Sequence, residues 1–212
     1  MTLLFSPQNS KTAVELEMAH IMSLNLLKTV EIVFHRPNIS HDLLPPIMHS
    51  ASRLAVAKLL GVHLRHDLNF SQQVESVVAT YNQRLYLLAQ LKKQGLGISA
   101  LDSVFKAIVL NKTMYALPAY FGYLTEGQRQ MLQRVLHRAS SRGFTPHYYD
   151  LDTLAANAHY HLFHHSWREA HCLNHLYTVK PRPPGAMQLR TRGHQFELPA
   201  VKYEFNKRNF IV

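Results

Sequence analysis

The sequence predicts an α+β chain that is predominantly α. A small β-containing stretch spans residues 1–67, a helical bundle spans 68–178, and a basic, partly extended tail spans 179–212. Three observations carry this division. Before Asp67, β-branched and aromatic residues fall in short runs broken by proline and polar turn clusters. After Asp67 the apolar residues switch to a three-and-four spacing, which marks one face of an α-helix. Past Tyr177, the run Lys180-Pro181-Arg182-Pro183-Pro184-Gly185 breaks that period.

Each element follows from its local residues. Thr2 to Phe5 reads as a short strand stopped by Ser6-Pro7-Gln8-Asn9-Ser10. Val14, Met18 and Ile21/Met22 give a helix at 13–22. Thr29 to His35 reads as a strand, stopped by Arg36-Pro37-Asn38. The prolines at 37, 45 and 46 then make a loop. Leu54 to Val56, and Leu59 to Leu64 across Gly61, read as a strand pair or bulged hairpin.

The first long helix carries Val74, Val78, Tyr81, Leu85, Leu88 and Leu91 on one face, and Gly95 and Gly97 end it. A second helix carries Ile98, Leu101, Phe105, Ile108 and Tyr115, with Ser99 as a candidate N-cap and Pro118 as its stop. A third follows an N-cap at Thr125, carries Met131, Leu132, Val135, Leu136 and Ala139, and closes at Gly143. Asp150 or Asp152 caps a fourth, expected to reach about Tyr177.

The bulk numbers narrow the class. A chain of 212 residues can bury a real core. No apolar run reaches the roughly 18–20 residues of a membrane span, and no secretory signal pattern opens the chain. The lone cysteine, Cys172, excludes an internal disulfide and fits a reducing compartment, so an intracellular location is expected.

The net charge of +10 points to a polyanionic partner, nucleic acid being the commonest, although solubility alone would also account for a basic bias. The charge is uneven. Residues 1–50 carry three basic and four acidic side chains, residues 71–142 nine and three, and residues 168–212 eight and three. The bundle offers Arg84, Lys92, Lys93, Lys106, Lys112, Arg134, Arg138 and Arg142, several of them opposite the apolar stripes. Such faces bind backbone phosphates by charge and counterion release, without reading sequence; a solvated helix face is the plainer reading of any one residue. Tyr115, Tyr120, Phe121 and Tyr123 could stack bases or simply pack.

Other chemistries find less support. Two-metal phosphoryl transfer needs paired carboxylates around ions about 3.5–4 Å apart, and the thirteen acids include no Asp-Asp pair. The i,i+4 pairs His161/His165 and His171/His175 have zinc spacing. Fifteen histidines make chance pairs common, so no metal site is expected.

A series of short blocks adds a resemblance. The blocks are Leu24-Asn25-Leu26-Leu27-Lys28-Thr29, Glu31-Ile32-Val33-Phe34-His35-Arg36-Pro37-Asn38, Lys58-Leu59-Leu60-Gly61-Val62-His63-Leu64, Gln83-Arg84-Leu85-Tyr86-Leu87-Leu88 and Tyr115-Ala116-Leu117-Pro118-Ala119. In this order they resemble the downstream half of the reverse transcriptase of non-LTR (LINE-type) retrotransposons. The resemblance reaches to about Leu198. It implies that residues 1–67 are the end of a palm and that the bundle is the thumb with its connection. Family members carry an aromatic-Ala-Asp-Asp turn just before a Thr-Leu-Leu strand; here Thr2-Leu3-Leu4 follows Met1 directly. The expectation is therefore a fragment of an RNA-directed DNA polymerase, lacking the catalytic Asp pair and inactive alone. It needs no cofactor itself, although the complete polymerase would need Mg²⁺. The expected partners are an RNA template and DNA primer, held through their phosphates, and the N-terminal polymerase part.

Several residue roles follow from the same resemblance. Lys28 would be a general acid for the leaving pyrophosphate, and otherwise an ordinary surface lysine. Gly61 would belong to the primer grip, with Arg65 beside it reaching phosphate. Two alternatives remain. One is a non-enzymatic nucleic-acid-binding module derived from such a polymerase. The other, more remote, is the helical domain of AlkB-type tRNA-modifying proteins, whose His-x-Asp iron motif does not occur here.

Overall fold

The computed structural model describes residues 2–4, 28–35, 44–47, 51–180 and 196–197. Over them the chain is α+β and mostly helical. The helix expected at 13–22 and most of the tail lie outside the described residues. Two compact units are present: Met1–Thr80 with Tyr123–Gln128, and Tyr81–Gly122 with Arg129–Val212.

In the first unit, Thr2–Leu4 (β1), Thr29–Glu31 (β2) and Ser52–Arg53 (β3) form a parallel sheet in that order. Leu3 stands opposite Val30, and Val30 opposite Ser52. Buried charge requires a partner. Glu31 is buried, and Arg53, opposite it in the register, donates to its Oε1 through Nε at 2.7 Å. The strand expected to reach His35 ends at Glu31. Beyond it the His35 N–H donates to the His66 carbonyl at 3.0 Å, which takes the backbone out of the sheet ladder.

A second sheet pairs Val56–Leu59 (β4) antiparallel with Val62–Arg65 (β5). Leu59 opposes Val62, so the loop is only Leu60-Gly61. Its φ values of +46° and +85° are the two positive values a type I′ turn demands. The expected bulge is therefore a tight turn. The expected 54–56 strand divides, with Ser52–Arg53 joining the parallel sheet and Val56 opening the hairpin. Ile32, Ala57, Val62, Phe70, Val74, Val77 and Leu124 are the buried apolar residues of this unit.

Ser71–Lys93 (α1) buries Val74, Val77, Tyr81, Leu85 and Leu88 at helical spacing. Asn69 Oδ1 accepts the Ser71 N–H at 2.8 Å and starts the helix. A Schellman cap ends it. Gly95, at φ +88°, donates to the Lys92 carbonyl, and Leu96 donates to the Leu91 carbonyl.

The second helix is interrupted. Ile98–Phe105 (α2) runs into a π turn, Lys106–Leu110, and on into Asn111–Met114 (α3). Its N-cap is Gly97, without a side-chain bond, and not Ser99. A π turn widens the helix and loosens its ladder. Two side chains compensate. Arg84 Nη1 donates to the Ile108 carbonyl, and the Thr113 hydroxyl donates to the Val109 carbonyl at 3.0 Å. The buried Tyr81 hydroxyl in turn donates to Thr113 at 2.7 Å. Ala116, at φ +55°, makes the break, so Pro118 does not stop a helix. It sits in the first turn of Leu117–Tyr120 (α4), where its missing N–H costs nothing.

Glu126–Ser141 (α5) opens with a reciprocal cap. Thr125 Oγ1 accepts the Gln128 N–H at 3.4 Å, and Gln128 Oε1 accepts the Thr125 N–H at 2.8 Å. Gly143 (φ +64°) and Phe144 close it in a second Schellman cap, donating to the Ser140 and Ala139 carbonyls. Leu151–Ser166 (α6) is capped by Asp150, whose Oδ2 accepts the Thr153 N–H at 2.8 Å. This helix stops eleven residues short of the expected Tyr177, because Ser166 Oγ bonds both the Phe163 carbonyl at 2.7 Å and the Tyr177 hydroxyl at 2.6 Å. That contact folds the chain back, and Phe163, Trp167, Tyr177 and Phe196 pack as a small aromatic cluster. An antiparallel bridge pairs Val179 with Phe196. Among the described residues, no helix is long and apolar enough to cross a membrane.

Candidate nucleic-acid interface

The basic face of the second unit begins with what is missing from the sequence. No acidic residue occurs between Glu75 and Asp102, or between Glu126 and Asp150. Those stretches build the length of α1 beyond its first turn and nearly all of α5. Outside their buried apolar stripes, the remaining faces carry amides, hydroxyls, imidazole and cations together with exposed Tyr86, Leu87 and Met131, but no carboxylate. A surface without carboxylates holds a positive potential that neighbouring ion pairs would otherwise cancel.

On α5, Arg134, Arg138 and Arg142 recur every four residues and are all exposed, forming one ridge with Arg142 just past the helix end. Arg138 Nη1 reaches Asn82 Oδ1 on α1 at 3.2 Å. Lys92 Nζ, near the end of α1, donates to the Arg142 carbonyl at 2.6 Å. These two contacts hold the Arg138–Arg142 ridge against α1 at Asn82 and at Lys92, with Lys93 next to Lys92 on that helix and Arg134 one turn along the ridge. The cations differ in what they have left to offer. Lys92 serves the end of α5, where an ammonium offsets the negative pole of the helix. Arg134 Nε turns to the Gln130 carbonyl of its own helix at 3.3 Å. Lys93 and the Arg142 guanidinium make no hydrogen bond or ion pair among the described residues, and they are the most available for phosphate.

The remaining candidates stand elsewhere. Arg84 is tied to the π turn. Lys106 pairs with Asp102 at 2.7 Å, one turn away. Burial pushes the Asp102 carboxyl up, but hydrogen bonds from Lys106 and from Thr145 Oγ1 (2.6 Å) outweigh it and hold the carboxyl below its usual value. The same bond raises the Lys106 ammonium. Lys112 lies over the Tyr115 ring at 5.0 Å. Gly61 and Arg65 belong to the first unit, in the hairpin turn and at the end of β5, where Arg65 pairs with Asp67 at 3.0 Å. Lys28 is exposed immediately before β2. Of the aromatic residues considered for stacking, Tyr120 and Phe121 are buried; burial pushes the Tyr120 hydroxyl up to about 12.

Sequence reasoning passed over two residues. Tyr86, 63% exposed, lies one turn beyond Asn82 on α1. Its signal was present, since it is an aromatic off the buried stripe; its ring could stack a base beside the Arg138 contact. Arg129 lies over the Phe121 ring at 4.6 Å and within 3.8 Å of Asp152, pairings that no sequence spacing announces. Among the described residues, no three of His, Cys, Asp and Glu converge to hold a metal ion. His161 and His165 are exposed on α6, and His164 packs on Trp167 at 4.8 Å.

No family model matches the chain, and neither does any curated protein or solved structure.

Proposed function

We propose that the chain is a nucleic-acid-binding module that grips backbone phosphates along α1 and α5, as the thumb of a LINE-type RNA-directed DNA polymerase would. The supporting observation is the carboxylate-free surface on which Lys92 bonds the Arg142 carbonyl and Arg138 reaches Asn82, with Lys93 next to Lys92 on α1. The grip acts on charge and counterion release, so it is insensitive to base sequence. The polymerase ancestry rests on the order of the sequence blocks. A derived binding module without catalysis would use the same contacts.

The test is fluorescence anisotropy of a labelled oligonucleotide with the full chain and with the triple variant K93Q/R138Q/R142Q. Saturable binding of mixed-sequence strands, weakened at least tenfold in the variant, supports the reading. Equal binding by both proteins, or none at low salt, overturns it.

A further inference from the structure

Helix α6 of the second unit carries His159, His161, His164 and His165. Spacing alone does not separate the two i,i+4 pairs, His161/His165 and His171/His175. The structure does. His171 Nδ1 accepts the Leu173 N–H at 3.1 Å, in the turn before the short 3₁₀ segment Asn174–Leu176 that holds His175. His161 and His165 both lie within the regular helix, which ends at Ser166. Residues four apart on a helix share a face, with Cβ atoms about 5–6 Å apart. Two imidazoles at that separation can close on one ion, at zinc–nitrogen distances of about 2.0–2.1 Å.

Other imidazoles are already engaged. His63 Nδ1 lies 3.2 Å from Gln73 Oε1, and His137 Nδ1 lies 3.4 Å from Ser141 Oγ. His164 packs between Tyr160, at 4.1 Å, and Trp167, at 4.8 Å. His161 and His165 are exposed, and neither ring nitrogen makes a hydrogen bond among the described residues. The helix beneath them is held at both ends. Asp150 caps it, and Ser166, buried and one residue past His165, bonds the Tyr177 hydroxyl at 2.6 Å. A ligand bridging the pair therefore need not order the backbone first. No acidic residue occurs from Thr153 to Arg168, so no carboxylate of the helix face competes for the imidazoles. Glu169 stands past the helix end, and no third ligand converges on the pair.

We infer that His161 and His165 chelate one borderline divalent ion, of the zinc, nickel or copper class, with its outward positions left to water. Imidazole suits these ions, whereas magnesium and calcium take oxygen ligands. Two ligands make the site weaker than a closed four-ligand zinc centre. Its effect is a clamp across the last full turn of α6, where the chain is about to fold back. The inference uses none of the cations of the nucleic-acid reading and stands apart from it.

The experiment titrates the full chain, untagged and stripped of metal, with zinc chloride and nickel chloride by calorimetry, beside H161Q, H165Q and H175Q. All three positions are exposed, so each variant should melt with wild type in metal-free buffer. The expected result is one saturating ion per chain in wild type and in H175Q. Affinity should fall at least about tenfold in H161Q and in H165Q alike, since one imidazole is no chelate. Zinc should raise the melting temperature of wild type and of H175Q but not of H161Q or H165Q. No saturable binding by wild type, wild-type affinity in H161Q or H165Q, or an equal loss in H175Q overturns the site.

Discussion

Lys92 donates a hydrogen bond to the carbonyl of Arg142 at 2.6 Å, tying the end of one basic helix to the end of another. The contact passes over Gly143. A Cβ built at Gly143 would stand 2.9 Å from Lys92 Nζ, and φ there is +64°. Gly143→Ala is therefore expected to destabilise by about 1–2 kcal/mol, mostly through the left-handed backbone, since the lysine tip can swing away. Gly127→Ala meets open space at a helical position and should be neutral or gain up to about 0.5–1 kcal/mol. Thermal melts of the two variants check the contrast; equal shifts would contradict the cap geometry.

Arg84 separates structure from binding. Its guanidinium fills a carbonyl loosened by the π turn, so Arg84→Met leaves the Ile108 oxygen unpartnered in a half-buried place. The expected cost is about 1–3 kcal/mol, with nucleic-acid affinity unchanged once folded. Lys93→Gln should do the reverse, weakening binding at unchanged stability. Denaturant midpoints beside anisotropy titrations distinguish the two; a binding loss for Arg84→Met equal to that of Lys93→Gln would put Arg84 in the interface.

Acid stability should follow Asp102 and Asp150. Both carboxyls lie below their ordinary value in the fold. For Asp102, hydrogen bonds from Lys106 and Thr145 overcome burial; for Asp150, two bonds from Thr153 dominate. A depressed folded pKa contributes stability above the unfolded value, about pH 4, and loses it as pH falls through the folded value. Melting temperature should therefore fall below about pH 4, less steeply in Asp102→Asn, which is less stable at neutral pH from the start. An identical acid limb in wild type and variant would contradict this.

At alkaline pH the sign reverses. Burial raises the hydroxyls of Tyr81 and Tyr120, the latter to about 12. A raised folded pKa contributes stability that is complete below the unfolded value, about pH 10, and is lost as pH rises beyond it. Tyr120→Phe should flatten the loss above about pH 10. The part of the phenolate absorbance that Tyr120→Phe removes should rise together with unfolding, not before it, while exposed tyrosines such as Tyr86, Tyr148 and Tyr160 contribute to the rise in both proteins.

The sequence was most legible where one local rule decided the structure. Thr125 with Gln128, Gly143 after α5 and Asp150 before α6 all behave as their cap chemistry requires. Helical spacing found Tyr81, Leu85 and Leu88 in the core, although it took half-buried Val78 for buried Val77. What failed depended on contacts distant in sequence. The π turn is held by Arg84 and Tyr81, more than twenty residues upstream. The end of α6 is set by Tyr177, and Pro118 was read as a stop because the turn at Ala116 has no sequence signature. For the candidate interface, composition pointed to α1 and α5 but could not say which cations were already engaged.

The most direct test of the central claim is the salt dependence of oligonucleotide binding. If the wild-type chain neutralises about three to four phosphates, log affinity should fall with log salt at a slope of about −3, so raising salt from about 50 to 200 mM should cost about sixtyfold. K93Q/R138Q/R142Q should reduce that slope by about two to three. A wild-type slope near zero, or a slope that the triple variant leaves unchanged, would contradict the account.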